Sequence, residues 1–250
     1  MCAFDAASRS VVHSCLVTTV GSSSSHAELK RSVAKALGHA GQSYLGGLSF
    51  RRPGRGPRMW VADRGWWLHN VEFQPSGFSV GSYLNVGLQH LWHVQDYRSF
   101  SYSSREPIEG AGQFVQFTGD EAAIQAQANV VAKSARQAVE RQVREVGDGP
   151  AHLRWLAQQP SSGWEALNAA IAVGLLGDLP HAQRMLIDLA SRMDRTIGWQ
   201  DTFADDCLAL AAEPDQHRFT TVILDRIART RALLKLEPAF DPTALLPGVN

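Results

Sequence analysis

The stretch RMWVADRGWWLHNVEFQPSGFSVGSYLNVGLQHLW, residues 58–92, decides the fold. Two turn signals, at residues 62–65 and 74–77, separate three runs that are rich in Trp, Val, Phe, Tyr and Leu. Residues of these types favour β-strands, and a short turn that contains glycine between two such runs is typical of a β-hairpin. The stretch therefore predicts three consecutive antiparallel strands.

The alternation of side chains predicts how this sheet packs. Successive residues of a strand point to opposite faces, so the apolar set is expected to face the core: Trp67, His69, Val71 and Phe73 in one strand, and Leu84, Val86, Leu88, His90 and Trp92 in the next. We expect the opposite face to be wet. A fourth strand is predicted at residues 113–117. The loop before it, residues 95–112, is long, and such loops are often functional.

Helices are predicted on both sides of the strands. Capping boxes at Ser25 with Glu28 and at Thr118 with Glu121 open helices before and after them, the second over residues 120–146. A break at residues 147–150 precedes five further helices, at residues 151–158, 164–176, 180–193, 199–212 and 214–236. The expected class is α+β, a four-stranded antiparallel meander packed by helices and followed by an all-α helical region. The predicted units are a disordered leader (1–25), a sheet domain (26–147), a helical domain (151–236) and an extended tail (237–250).

The charge and the cysteine content restrict the possible functions and the compartment of the protein. Lys plus Arg and Asp plus Glu number 24 each, so the formal net charge is zero and no overall basic field attracts nucleic acid. The three cysteines, Cys2, Cys15 and Cys207, form no close pair of metal-ligand spacing, which indicates a reducing compartment. The chain contains no run of about 20 apolar residues, the length that a membrane span needs. These features predict a cytoplasmic protein that does not enter membranes.

Three motifs of the sheet carry a family resemblance. They are the R-M-W-V run at residues 58–61, V-E-F-Q-P-S at residues 71–76, and S-Y-L-N-V-G at residues 82–87. Over about residues 27–145 the chain resembles the bacterial domain-of-unknown-function 4304 family. The resemblance implies an α+β domain in bacterial cytoplasmic proteins, without an established activity or catalytic residues. Asn85 and Gly87 are expected to serve a bulge or a close backbone approach.

No complete catalytic or cofactor motif is present. The chain contains no CxxC, HExxH or P-loop sequence, and the Gly-Ala-Gly at residues 110–112 precedes a strand instead of opening a helix. The acidic residues Asp201, Asp205, Asp206 and Glu213 are interpreted as a solvated helix face, and Cys207 as a core residue. We therefore predict no catalytic residue, no metal site and no cofactor.

The remaining candidates are aromatic, histidine and arginine side chains. Binding residues are expected among Trp66, His69, His90, Trp92, His93 and Arg58. The first five would line a pocket between the sheet and the helical region. Structural histidines that bind nothing are the simpler interpretation of the same residues.

Three functions follow from these patterns. The leading hypothesis is a non-enzymatic interaction or accessory protein. It would bind a protein partner, or a second copy of itself, on an aromatic sheet face formed by Trp60, Trp66 and Tyr83. In the competing interpretation, the chain's own helices cover this face. The alternative is a small-molecule binder or enzyme that uses the pocket. The third is nucleic-acid binding through Arg51, Arg52, Arg55 and Arg58, although a loop that protects a sheet edge is the favoured interpretation of these arginines.

Overall fold

The computed structural model describes residues 22–54, 56, 58–159 and 163–237. The strands are β1 (Met59–Asp63), β2 (Trp67–Pro75), β3 (Gly81–His90), β4 (Tyr102–Glu106) and β5 (Phe114–Gln116). The helices are α1 (Ser22–Leu45), α2 (Glu121–Val146), α3 (Pro150–Leu156), α4 (Gly163–Leu175), α5 (Leu179–Ser191), α6 (Gly198–Ala211) and α7 (Gln216–Leu233). Most of the predicted leader, most of the predicted tail and Arg55 lie outside the described residues.

The α+β class is confirmed. Strands β1 to β4 form an antiparallel meander in chain order, with helices before and after it. Each of the five predicted C-terminal helices is found within three residues of its expected ends. In the described part of the chain, no helix is both long enough and apolar enough to cross a membrane. The division of the chain into two domains stays a prediction.

Strand β4 was not predicted, because it lies inside the expected loop at residues 95–112. It pairs with one edge of β3 from Leu84 to Leu88, and β5 pairs with the same edge from Gly81 to Tyr83. The predicted strand at residues 113–117 is therefore β5 and not the fourth strand. The sequence of β4, YSSRE, is polar, and its three middle residues are exposed. Such a strand carries no alternating apolar pattern.

Both predicted capping boxes were wrong in detail. Helix α2 is capped by Asp120, whose carboxylate accepts a hydrogen bond from the amide of Ala123 at 2.9 Å. Thr118 lies two residues before this cap, and its backbone amide instead donates to Gln127. Helix α1 begins at Ser22, three residues before the expected cap at Ser25.

The expectation of one wet sheet face was also wrong for part of the sheet. The face that carries Val71, Phe73 and Leu84 packs against α1 and α2, as predicted. Trp60 was expected on the opposite face, but it pairs with Val71 and lies in this core. On the opposite face, Leu68, Asn70 and Gln89 are also fully buried. They lie at the end of the sheet where β1 turns into β2, and this end shares a second core with α3–α7. Only the far end of the opposite face stays polar and partly exposed, with Glu72, Gln74 and Asn85.

Gly87 shows the close backbone approach that was expected at this position. A Cβ atom added here would overlap with the carbonyl oxygen of Tyr102 in β4 and would lie 2.7 Å from the Cβ of Ser103. We expect Gly87→Ala to destabilise the protein by about 1–3 kcal/mol, because β4 must move away from β3. Urea unfolding measures the loss. Gly77→Ala, in the open loop between β2 and β3 with no neighbour within 4 Å, is the matched control, and equal stability of the two variants would contradict the packing.

Candidate functional site

A buried cluster of histidine and tryptophan rings lies where the sheet meets the helical region. Trp66 stacks on Trp92 with ring centroids 5.1 Å apart, and His90 stacks on Trp92 at 4.9 Å. His152, from α3, makes an edge contact with Trp66 at 4.8 Å. All four side chains are fully buried. The structure thus brings together Trp66, His90 and Trp92, three of the residues that were expected to line a pocket. His152 was missed because it belongs to a different element.

Each histidine of this region has a hydrogen-bond partner. His69 Nε2 donates to Gln142 of α2 at 2.8 Å, and His93 Nε2 donates to Asn168 of α4 at 2.8 Å. The Nε2 atoms of His90 and His152 lie 3.2 Å apart. A hydrogen bond between two imidazole nitrogens requires a proton on one and a lone pair on the other. The pair is therefore compatible with neutral rings and not with two imidazolium ions.

The environment disfavours the charged forms of these histidines. Burial lowers the pKa of His69 to about 4, and the hydrogen bond to Gln142 only partly opposes this effect. Burial, followed by the proximity of His69, lowers the pKa of His152 to about 3. The pKa of His90 lies well below its usual value for the same main reason, with His152 and His93 adding to the effect. Burial lowers the pKa of His93 to about 4. All four rings are neutral at pH 7.

The predicted pocket is displaced from this cluster. A cleft of about 1290 Å³ lies between the loop at residues 91–101 and helices α4, α6 and α7. Of the five residues that were expected to line a pocket, Trp92 and His93 line this cleft, whereas Trp66, His69 and His90 do not. These last three are packed core residues. The buried cluster therefore supports one wall of the cleft and does not form it.

Aromatic side chains dominate the cleft. Six of them line it: Trp92, Tyr97, Phe100, Trp164, Trp199 and Phe203. Trp164 and Trp199 are 51% and 61% exposed, although each carries a large apolar ring. Trp164 is held by edge contacts with His93 at 5.0 Å and with Phe203 at 4.7 Å. The cleft thus offers fixed aromatic surface to solvent.

The loop that forms one wall is fastened to the sheet. Asn70 donates a hydrogen bond to the carbonyl of Ser99 at 2.9 Å, and Gln89 donates to the carbonyl of Tyr97 at 3.2 Å. Gln89 also accepts from the amide of Ser99 at 3.2 Å. These contacts explain why two amide side chains are buried on the sheet face that was expected to be wet. They fix the backbone on both sides of Arg98 and thereby hold Tyr97 at the cleft.

The base of the cleft is tied to α4 by one side chain. The Oδ1 atom of Asn168 accepts hydrogen bonds from Trp92 Nε1 and from His93 Nε2, each at 2.8 Å. Asn168 is 2% exposed. Because a carbonyl oxygen has two lone pairs, one amide can orient both rings. The orientation of the two sequence-predicted residues in the cleft therefore depends on a residue that the sequence did not indicate.

The cleft also carries charge of both signs. Asp96, Asp205, Asp206 and Asp225 line it together with Arg226 and Arg229. Arg226 forms a two-point ion pair with Asp206, at 2.9 and 2.5 Å. Asp205 is paired with Arg195, which also binds Asp201. The acidic residues that were expected to form a solvated face are thus largely neutralised by arginines.

Arg58 does not belong to this site. It is exposed and precedes β1, whose first residue pairs with Glu72, whereas the buried cluster lies at the other end of the strand, where Asp63 pairs with Leu68. Nearby, the backbone of Arg51 exchanges two hydrogen bonds of 2.9 Å with Val61 of β1. This contact covers the edge of the sheet and supports the interpretation of the arginine segment as edge protection.

The other candidate groups do not form a reactive site. Cys207 is fully buried, and burial raises the pKa of its thiol to about 12, which confirms its role as a core residue. Within the described residues, no group of three or more His, Cys, Asp or Glu side chains has positions that could hold a metal ion.

Comparison with known proteins adds no relative. A scan against protein-family models found none that matches the chain, and searches of curated proteins and of solved structures also found no match. The resemblance of residues 27–145 to the domain-of-unknown-function 4304 family stays a prediction.

A sequence signal for the missed aromatic residues exists. Trp164 and Trp199 each follow a glycine in the first turn of a helix, in the runs SGWEALN and IGWQDTF. A tryptophan at such a helix start has few neighbours on its own helix and can project into a space between elements. Tyr97 and Phe100 belong to the long loop whose length had already indicated a functional role.

Proposed function

We propose that the protein is a non-catalytic accessory protein that binds a small organic molecule in the cleft between the loop at residues 91–101 and helices α4, α6 and α7. The observation that supports this proposal is the concentration of fixed, exposed aromatic side chains in one concave site. Small-molecule sites are usually concave, largely apolar and formed before the ligand arrives. A volume of about 1290 Å³ is large enough for a ligand of ordinary metabolite size.

The distribution of exposed apolar side chains favours the cleft over the sheet. Nine large hydrophobic residues are exposed in the described part of the chain, and four of them line the cleft: Val94, Tyr97, Trp164 and Trp199. Scattered single exposures need no explanation, but a cluster in a concavity does. A ligand that covers these four residues would shield almost half of the exposed large hydrophobic residues in the described part of the chain.

The aromatic sheet face does not offer a comparable surface. Trp60 and Trp66 are fully buried, the first beneath α1 and the second in the cluster with Trp92 and His152. Of the three residues that were expected to form this face, only Tyr83 is partly exposed, and the guanidinium of Arg105 lies 4.2 Å from the centre of its ring. The chain's own helices therefore cover the tryptophans that a partner was expected to cover.

The proposal includes the compartment in which the protein acts. The balanced charge, the lack of a close cysteine pair and the family resemblance support a place in the bacterial cytoplasm. The lack of a complete catalytic motif in the sequence supports binding without chemistry.

A ligand screen with one substitution tests the proposal. The purified protein and its Trp199→Ala variant are compared in a thermal-shift screen against metabolites. A ligand present at about 100 times its Kd adds roughly 2.7 kcal/mol to the free energy of unfolding, which for a chain of this size raises the Tm by about 5–10 °C. We expect at least one compound to stabilise the wild type in this way and to stabilise Trp199→Ala much less.

The control variant is Phe78→Ala. Phe78 is also a fully exposed aromatic residue, but it lies in the loop between β2 and β3 and does not line the cleft. It should respond to the ligand as the wild type does. The proposal is contradicted if every stabilising compound acts equally on Trp199→Ala, or if no compound in a broad library stabilises the wild type. In the second case, capture of a macromolecular partner would become the better hypothesis.

A further inference from the structure

We propose that the ligand of the cleft is an organic cation, an ammonium group attached to an aromatic or apolar frame. This inference rests on the function proposed for the cleft and specifies the chemistry of its ligand. Three features of the cleft support it: the surplus of carboxylates, the position of the carboxylates that have no ion-pair partner, and the exposed aromatic rings.

Carboxylates outnumber guanidinium groups around the cleft. Four aspartates and two arginines line it. Arg195, which does not line the cleft, is shared between two carboxylates, Asp201 and Asp205. When Arg195 and Asp201 are counted as well, the carboxylates still outnumber the guanidinium groups by two. Because a concave site with low-dielectric walls concentrates the local field, such a surplus favours a cation over an anion.

Two of the four aspartates have no ion-pair partner. Asp96, in the loop, and Asp225, on α7, are exposed and form no ion pair with any residue that the structure describes. By contrast, Asp206 is bound at both oxygens by Arg226. Arg229 lies one turn after Asp225 on α7 and likewise forms no ion pair with a described residue. Two carboxylates and one guanidinium are therefore available to a ligand, and the carboxylates lie on both walls of the cleft.

The aromatic rings add a second attraction for a cation. The face of a tryptophan ring carries negative electrostatic potential and binds ammonium groups, more strongly when water is displaced. Elsewhere in the described structure, arginine side chains already occupy ring faces, as Arg105 does at Tyr83 and Arg52 does at Trp60. No lysine or arginine among the described residues lies over Trp164 or Trp199 in this way. Exposed indole rings that share a cleft with carboxylates lacking an ion-pair partner form a combination that suits substituted ammonium ions.

A matched series of three compounds tests the inference. Phenethylamine, 2-phenylethanol and phenylacetate share one frame and are cationic, neutral and anionic at neutral pH. Isothermal titration calorimetry gives their affinities for the full-length protein. We expect the amine to bind about tenfold more tightly than the alcohol, and the acid to bind more weakly than either. We also expect the advantage of the amine to shrink as salt is added.

Two variants locate the effect. Asp225→Asn and Asp96→Asn each change one exposed carboxylate to an amide of the same shape, so the fold should be kept, and circular dichroism checks this. Each should weaken binding of the amine by about three- to tenfold and leave binding of the alcohol unchanged. The control, Asp188→Asn, removes an exposed carboxylate on α5 that does not line the cleft, and it should leave all three affinities unchanged.

The results separate the charge of the ligand from the location of the site. The inference is overturned if the alcohol or the acid binds to the wild type as tightly as the amine, or if the amine does not bind at millimolar concentration. If the alcohol binds as tightly and Trp199→Ala still abolishes binding, the cleft remains the site and only the charge preference fails. If all three compounds bind Trp199→Ala as they bind the wild type, the proposed location of the site fails as well.

Discussion

Lowering the pH from about 7.5 to about 5.5 is expected to reduce the free energy of unfolding by roughly 5 kcal/mol. The cause is a set of four histidines: His69, His90 and His152 are fully buried, and His93 is half-buried. Their pKa values are lowered in the folded protein, to about 4 for His69 and His93, to about 3 for His152, and well below 6.5 for His90. In the unfolded chain each imidazole takes up a proton near pH 6.5.

The sign of the effect follows from proton binding. Between about pH 6.5 and pH 4 the unfolded chain binds more protons than the folded protein, so stability falls as the pH falls. Each histidine contributes about 1.4 kcal/mol per pH unit in this window. Above about pH 7.5 the contribution is complete and constant. A loss of roughly 5 kcal/mol is a large part of the 5–15 kcal/mol that holds a typical protein folded.

Urea unfolding at a series of pH values measures the slope. In His69→Gln the slope below pH 6.5 should fall by about one quarter, because one of the four titrating groups is gone. His217→Gln, at an exposed position on α7, is the matched control and should leave the slope unchanged. A stability that does not change between about pH 7.5 and 5.5, or an unchanged slope in His69→Gln, would show that these rings are accessible to protons in the folded state.

Removing the guanidinium of Arg231 is expected to destabilise the protein by about 3–5 kcal/mol. Arg231, on α7, binds both carboxylate oxygens of Asp63 at 2.8 Å and donates to the carbonyls of Gly65 and Glu237, each at 2.7 Å. The side chains of Arg231 and Asp63 are only 8% and 16% exposed. In Arg231→Ala the carboxylate of Asp63 would remain largely buried without its counter-ion, which is the costly state.

The exposed pair of Arg192 with Asp188 on α5 is the matched control. Both of its side chains are 55% exposed, and exposed pairs of this kind contribute about 0–1 kcal/mol. Urea unfolding should therefore find a small loss in Arg192→Ala and a loss several times larger in Arg231→Ala. Arg231→Lys should recover only part of the loss, because lysine cannot form the two-point pair. Equal losses in the two alanine variants would contradict the anchoring of α7 to the β1–β2 hairpin through this contact.

The helical part of the fold could be predicted because residues at the ends of each helix indicate where it begins and ends. Gly177 ends α4, Asp178 caps α5 and Pro180 occupies the first turn of α5. The hairpin between β1 and β2 was found for the same reason, since Gly65 has a positive φ of 90°. Strand β4 could not be found in this way. It is held by pairing with β3, and its own residues are polar.

The burial of both faces at one end of the sheet also depends on distant parts of the chain. Leu68 and Gln89 are buried because the loop at residues 91–101 and the helices after α2 fold back over them. The sequences of β2 and β3 contain no pattern that indicates this burial. The proximity of His90 to His152, separated by 62 positions in the chain, is likewise a consequence of packing.

The candidate site shows the same division. Trp92 and His93 were expected to line a pocket and they do, because both follow directly after a strand that was identified correctly. The partners that complete the cleft come from three helices, and their juxtaposition is not visible in any local pattern. Trp66, His69 and His90 were expected at the pocket surface, but α3 and the end of α2 cover them.

Collisional quenching of tryptophan fluorescence tests the binding role of the cleft most directly. Four of the seven tryptophans, Trp60, Trp66, Trp67 and Trp92, are buried, whereas the two most exposed, Trp164 and Trp199, both line the cleft. Acrylamide should therefore quench mainly these two. We predict that phenethylamine at saturating concentration lowers the quenchable fraction. Unchanged quenching in the presence of a ligand that calorimetry shows to be bound would contradict the cleft as the binding site.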